Sequence, residues 1–559
     1  MIQKVLFKNY KAFESGELKI NPITILLGAN SVGKSSIINL LLMLKQTANS
    51  SGYKSALRLH GENVSLGENK NIFRNQDITN NIEIGFEIPR QSMDNMLDRF
   101  LSYFYMPLSF FHGFPDEYFK ELISPFINKQ GELRKKYLSK ENFLQMVSKI
   151  EEVITSKHKG QTDIINYIKR SIILNEKEHI GRMFDLLNNI KHIKDDAVFI
   201  SFDIRNVIIN NEDSLKLEQL ILRHNDKKIL DIKFTLDSTK DSYIDIDITS
   251  DFVAGDLLDR KSKNELLKIF VCTSTIFACI SNNSTPIWRR NREIDLFRAP
   301  NETSIITQII EHIIERHINI IKERFYWSNI NHVSPLRAHP KRYYFLDKSN
   351  LNTSLDSLDG NSLTEILKED ENIRNKVNNW LQTFDLHVEV STLQDIIHKL
   401  KIKQNNLDLD ITDVGFGISQ VLPIIVQGFL SADGSLTMIE QPEIHLHPKM
   451  QAELADLFID IVDNHTRKHK KLQPNKYLLI ETHSEYLLKR LRRRISEGKI
   501  SARDVAIYFV EPPSEDNKST IIREVPVSSN GAFEWPSDFY IDELKKDNTS
   551  FIKQLFSKR

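Results

Sequence analysis

Cysteine is nearly absent from the 559 residues: Cys272 and Cys279 are the only two, set in one apolar stretch. Their spacing matches neither a CxxC metal pattern nor a disulfide framework, and it predicts two buried thiols in a reducing cytoplasm. Net charge is missing as well, because Lys plus Arg and Asp plus Glu both number 75. That balance argues against a basic body that coats nucleic acid nonspecifically, while local basic patches stay open. Long hydrophobic runs are lacking too. The most apolar interior stretch, Ile269 to Ile280, is too short for the roughly 20 residues that span a bilayer. Met1-Ile2-Gln3-Lys4-Val5 does not open a signal peptide. A soluble cytoplasmic chain without membrane contact is expected, with roughly two to four structural units at this length.

Proline is absent between Pro125 and Pro286. Within that gap, residues 91–213 are rich in Lys, Glu, Ile and Leu at helical spacing, which predicts an inserted helical domain. No heptad is sustained long enough for a coiled-coil arm. Before it, residues 1–90 read as a first lobe. Gln3 to Phe7, Glu17 to Ile20 and the continuous apolar run Ile23 to Leu27 are strands, and a helix apolar nearly all round starts at Gly33-Lys34. Ile82 to Ile88 alternates as a half-buried strand. Residues 214–250 add Leu215 to Leu222, Ile229 to Leu236 and Tyr243 to Ile248, which with Ile82 to Ile88 form an antiparallel meander completing that lobe. A second helical segment is expected over 251–330, and 331–559 returns to α/β character as a second lobe.

Gly28-Ala29-Asn30-Ser31-Val32-Gly33-Lys34-Ser35, followed by Ser36, satisfies GxxxxGK[ST] between an apolar strand and a helix. Gly28, Asn30, Ser31, Gly33 and Ser36 belong to the loop that cradles phosphate. Lys34 supplies charge to the β- and γ-phosphates, and the Ser35 hydroxyl is the expected Mg²⁺ ligand, with the helix N-terminus aimed at the same anion. Leu436 to Ile439 is a second apolar strand that ends in Glu440-Gln441-Pro442-Glu443. Glu440 stands where an acid holds Mg²⁺. Gln441 stands where an acid polarises the attacking water, and an amide cannot act as a base. Two readings follow: Glu443 serves as the base, or hydrolysis is slow and the protein is a nucleotide-gated clamp. His445 and His447 sit two apart, a spacing that suits packing more than metal ligation.

Asp413 to Pro423 holds Gly415, Gly417 and Ser419 at the start of an apolar helix, a second phosphate-directed helix tip. The first phosphate site is already served, so this tip makes sense facing the nucleotide of a second copy in a homodimer or larger assembly. Leu478 to Ile480 leads to Glu481-Thr482-His483-Ser484, where His483 can contact the γ-phosphate or the lytic water.

In this order, P-loop, signature, Walker B strand and switch histidine resemble ABC-type ATPases of the SMC, RecF and OLD kind. Phe7-Lys8-Asn9-Tyr10-Lys11-Ala12-Phe13 looks like their opening. Ser334-Pro335-Leu336-Arg337, Asp413 to Pro423, Ile439 to Pro448, Glu481 to Glu485 and Gly531 to Pro536 are more similar to single-chain bacterial phage-defence ATPases, Septu-type ones included. The resemblance covers about residues 1–90 and 330–559. It implies an α/β ABC-type ATPase head with an antiparallel β subdomain and an inserted helical domain, using ATP and Mg²⁺. It also implies a dimerising conformational switch in anti-phage defence that controls a separate effector, expected to be a nuclease encoded nearby. Two departures bear on turnover: Gly415 stands where the signature serine belongs, and Gln441 replaces the catalytic glutamate. No strand after His483 ends in the paired acids of a Toprim nuclease.

Arg467-Lys468-His469-Lys470-Lys471 and Lys489-Arg490-Leu491-Arg492-Arg493-Arg494 are basic, and read either as DNA contacts or as solvated helix faces. Arg337 reads as a nucleotide or partner contact, or as a structural ion pair. A DNA-clamping repair ATPase and a scaffold with negligible turnover are the alternative functions.

Overall fold

The computed structural model of the protein describes residues 3–50, 54–89, 97, 139–156, 177–191, 197–280, 304–345, 360–394, 397–405, 407–462, 476–515 and 517–535. It contains two compact units, Met1–Lys45 with Glu323–Arg559, and Gln46–Lys322.

The first unit opens with an antiparallel hairpin of β1 (Lys4–Tyr10) and β2 (Phe13–Lys19), in which Tyr10 pairs with Phe13. Asn9 and Lys11 take left-handed φ of 55° and 49° to tighten the turn. The turn brings Phe7 edge-on to both Tyr10 and Phe13, with ring centroids 5.9 and 5.3 Å away. Next come β3 (Ile23–Leu27), with all five residues buried, and α1 (Lys34–Ala48). Ile37, Ile38 and Leu40 to Leu44 of α1 are buried, as a helix apolar nearly all round predicts.

The second unit contains β4 (Ile82–Pro89), helices α2 (Lys140–Ser156) and α3 (Lys177–Lys191), and strands β5 (Ala197–Ile209), β6 (Glu212–His224), β7 (Lys227–Asp237) and β8 (Ser242–Thr249). Helices α4 (Arg260–Ile269) and α5 (Ile305–Phe325) follow. The strands β4 to β8 pair in sequence order, each antiparallel to the next. They form an antiparallel meander with one strand more than the four read from the sequence, and all five fall in the second unit and not with residues 1–45. Residues 197–209, read as part of the helical insertion, form β5. Their run Ala-Val-Phe-Ile-Ser-Phe-Asp-Ile is too continuously apolar for period alone to separate strand from helix, and pairing on both edges decides it. Elsewhere in 91–213, residues 140–156 and 177–191 are helical, while Asn210 and Asn211 turn the chain and Glu212 starts β6. Cys272 and Cys279 are free and buried, and burial pushes their thiols up to about 11 and about 12.

His317 lies wholly buried in α5, and its ring pairs with the Ile313 carbonyl. Burial, helped by the Arg316 cation, lowers its pKa to about 4 from 6.5. The unfolded chain therefore takes up the proton first. Stability from this group is complete above pH 6.5 and is lost as pH falls toward 4, by about 3 kcal/mol in all. Urea unfolding at pH 7 and pH 4.5 should show that slope, and His317→Phe should flatten it.

The first unit resumes with β9 (Ile330–Val333), β10 (Tyr344–Phe345), α6 (Gly360–Glu369), α7 (Glu371–Leu381), β11 (Leu386–Gln394), β12 (Ile397–Gln404) and β13 (Leu407–Asp410). Then come α8 (Phe416–Leu430), β14 (Leu436–Glu440), α9 (Pro448–Val462), β15 (Tyr477–Glu481), α10 (Glu485–Ser496), β16 (Val505–Glu511) and β17 (Ile521–Val525). One six-stranded sheet runs β17-β16-β3-β15-β14-β9, parallel except for β17. Strands β10 to β13 form a smaller antiparallel sheet that the sequence did not reveal. Polar and charged residues alternate along these strands, so β12 buries only every second side chain. No helix among the described residues is long and apolar enough to cross a membrane.

Candidate nucleotide site

Parallel pairing sets the chemistry at one edge. Strands β3, β15 and β14 all end there, so Gly28, Glu481 and Glu440 leave neighbouring strand tips, with Glu440 and Glu481 in direct register. Ligands of open α/β sheets bind at such carboxyl ends. β15 lies between the P-loop strand and the Walker B strand, although it follows both in sequence.

Between β3 and α1 the chain turns at Gly28 (φ 146°), Ser31 (φ 63°) and Gly33 (φ 112°). A Cβ at Gly28 would lie 2.6 Å from the Val510 carbonyl oxygen, and one at Gly33 would lie 3.1 Å from the Phe13 ring. The opening aromatic cluster therefore braces the loop directly, a role its sequence did not announce. Asn30 and Ser31 are exposed on the loop, and Ser36 closes the turn by donating its N–H to the Gly33 carbonyl at 3.0 Å.

Lys34 is buried, and its ammonium donates to the carbonyls of Gly28 (3.1 Å) and Ala29 (2.7 Å). It also lies 3.8 Å from a Glu481 carboxylate oxygen. Burial lowers the lysine pKa, against the pull of Glu481 and then Glu443. Ser35 donates its hydroxyl to the other Glu481 oxygen at 3.2 Å. Burial also raises the Glu481 pKa, against the pull of Lys34.

Glu481, to which the sequence assigns no role, lies against both Lys34 and Ser35. The signal for it in the sequence is an acid closing a buried apolar strand, as Glu440 does. The acid beside Ser35 is Glu481, whereas the Glu440 carboxylate pairs with His332 Nε2 at 2.7 Å.

Gln441 takes a left-handed φ of 44° and donates its backbone N–H to the Glu481 carbonyl at 2.7 Å. Glu443 reaches across the strand tips: one carboxylate oxygen accepts the Thr482 hydroxyl and the other the His483 N–H, both at 2.7 Å. Burial raises its pKa, against these hydrogen bonds. His483 has its Nε2 buried with no hydrogen-bond partner among the described residues. Desolvation, then Lys34, hold its pKa down.

Gly415 caps α8 with open space around its Cα, while a Cβ at Gly417 would lie 2.7 Å from the His445 carbonyl oxygen. Ser419 is buried and donates its hydroxyl to the Phe416 carbonyl at 2.7 Å, so it turns back into its own helix. His445 packs edge-on against Phe416, and His447 Nδ1 accepts the Lys449 N–H at 3.3 Å. No group of three or more His, Cys, Asp or Glu able to hold a metal occurs among the described residues.

The basic run on α10 is matched by acids. Arg490 pairs with Glu453 and Asp456, Arg494 with Asp456 and Glu497, Arg493 with Glu497, and Lys489 with Glu485. Arg492 lies over the rings of Phe533 and Trp535. Arg467 to Lys471 lies outside the described residues.

This edge fits a nucleotide and its cation. Side chains at Gly28 or Gly33 would run into the Val510 carbonyl or the Phe13 ring and push the loop out of this shape. Ser35 and Glu481, with Glu440 alongside, offer the hard oxygens that Mg²⁺ takes together with phosphate.

The model of the AAA ATPase domain family matches residues 1–488. No curated protein matches the chain. Among solved structures, the SMC head domain from Thermotoga maritima aligns at 8% identity, covering 94% of this chain and 99% of that one with a TM-score of 0.32. The Smc head domain from Pyrococcus furiosus, with an extended coiled coil and bound to the C-terminal domain of ScpA, aligns at 8% identity. It covers 94% of this chain and 96% of that one, with a TM-score of 0.30.

Proposed function

The chain belongs to the AAA ATPase domain family, and from that premise we propose that it binds and hydrolyses ATP with Mg²⁺ as a dimerising conformational switch. The observation that carries this reading is the convergence of Lys34, Ser35, Glu481, Glu440 and Glu443 at one sheet edge beside a glycine-bent loop. Lys34 holds phosphate charge. Ser35, Glu481 and Glu440 would hold the cation, which would supply positive charge beside the phosphates. Glu443, kept basic by burial, has lone pairs left to orient water after accepting from Thr482 and His483. The chain's resemblance to phage-defence ATPases supports a role for this switch in bacterial defence, acting on a separate effector nuclease. Recovery of one co-encoded protein with the intact chain would test that role.

Dimerisation is supported by the cap of α8. Gly415 adopts φ −50° and faces open space, so a large side chain there leaves the monomer undisturbed while obstructing a second copy's nucleotide. Gly415→Arg should keep the wild-type melting temperature and lose ATP-induced pairing in sedimentation. Pairing that persists in that variant would remove α8 from the interface.

One observation favours slow turnover. Gln441 is an amide, and both Glu443 oxygens already serve Thr482 and His483. A clamp that binds ATP and awaits a partner is the second reading, and steady-state phosphate release separates the two. The acid pairing along α10 does not favour direct DNA clamping by that helix.

A further inference from the structure

We propose that Arg337 recognises the terminal phosphate of the bound nucleotide and so sets a preference for ATP over ADP, an inference that rests on the nucleotide-binding reading above. Arg337 lies just beyond β9, which pairs with β14 in a register that sets Val333 beside Ile439. It therefore belongs to the same carboxyl edge as Glu440 and Glu481. The residue is only 5% exposed. One guanidinium nitrogen, Nη2, donates to the Glu440 carbonyl at 2.7 Å and more weakly to that of Gln441 at 3.4 Å. The other two, Nε and Nη1, are buried with no hydrogen-bond partner among the described residues. Glu443 and Glu440 surround the cation with negative charge, in that order of influence.

Idle buried donors on a charged group are costly unless something accepts from them. The planar fork of Arg matches a phosphate oxygen pair, which the compact Lys head does not. The P-loop and β9 stand at opposite sides of β15 and β14, three strand spacings of about 4.8 Å apart. In the proposed binding mode the terminal phosphate, met by Lys34 at the P-loop, would point over those strand tips toward β9. Glu443, which Arg337 influences, also influences Lys34, so the two cations flank one acidic patch from opposite ends. Arg337 would then supply part of the charge complementarity that Gly415 and Gln441 do not.

The test is titration of fluorescent ATP and ADP analogues into wild type, Arg337→Lys and Arg337→Met, each checked by circular-dichroism melting. Arg337→Lys keeps a donor for the Glu440 carbonyl and the charge, but removes the fork. Wild type should prefer the triphosphate. Arg337→Lys should weaken the triphosphate about tenfold or more while leaving the diphosphate within about twofold. A folded Arg337→Lys that binds both analogues as wild type does, or loses both equally, makes Arg337 a structural anchor and overturns the proposal. Should wild type bind neither analogue in a Lys34-dependent way, the nucleotide-binding reading itself falls, and this one with it.

Discussion

Lys34→Ala should raise the ATP dissociation constant between about thirtyfold and several thousandfold, the effect of about 2–5 kcal/mol on removing one partner of a buried charge pair. Lys34 is the one cation within reach of the Gly28 and Ala29 carbonyls and Glu481 in the contacts described above, and it must leave those carbonyls to meet phosphate. The substitution also deprives Glu481 of its cation, so the already raised carboxyl pKa should rise further and the cation site should weaken with it. Calorimetric titration with ATP, with and without Mg²⁺, measures both losses at once. Affinity that survives in a folded Lys34→Ala would mean that the glycine-bent loop binds nothing at its own cradle.

The second large effect concerns Glu443. Glu443→Gln keeps nearly the same shape: the amide oxygen can accept from the His483 N–H while the amide nitrogen donates to the Thr482 hydroxyl. The fold and ATP affinity should therefore hold within about twofold, while turnover falls by about 10²–10⁴ if the carboxylate works as a base. Gln441→Glu is the complementary change, since it places an acid one residue past Glu440 and should raise turnover. Unchanged phosphate release in Glu443→Gln would reduce Glu443 to a brace for the β15 tip, and would favour the clamp. Burial has raised the Glu443 pKa, so the pH–rate profile should lose activity at a higher pH on its acidic side than an exposed glutamate would give.

Much of this site is legible along the chain because its parts are contiguous. The P-loop octet, the buried strand before it and the apolar helix after it all appear where their residues predict. So do the two apolar strands that end in Glu440 and Glu481. What the chain does not reveal is adjacency. Nothing local says that β15 slips between β3 and β14, yet this order makes Glu481, not Glu440, the neighbour of Ser35. The brace from Phe13 to Gly33 was hidden for the same reason, since it depends on how a hairpin folds back over the loop. Strand β5 and the sheet of β10 to β13 were missed on other grounds. One is too uniformly apolar to show a period, and the other is too polar to look like core.

The central position of β3 has a consequence for how the protein is made. Its two neighbours, β15 and β16, are synthesised about 450 residues or more after it, which at about 5–20 residues per second means roughly 20 seconds to a minute and a half of waiting. Throughout that interval Ile23 to Leu27 has no strand to pair with, and a five-residue apolar segment emerges early on a growing chain. The nascent polypeptide thus carries the whole P-loop motif without a sheet edge to display it. A ribosome stalled before Tyr477 would hold a chain unable to retain nucleotide, and nucleotide binding on stalled complexes of increasing length should appear as a late step, not as a gradual rise.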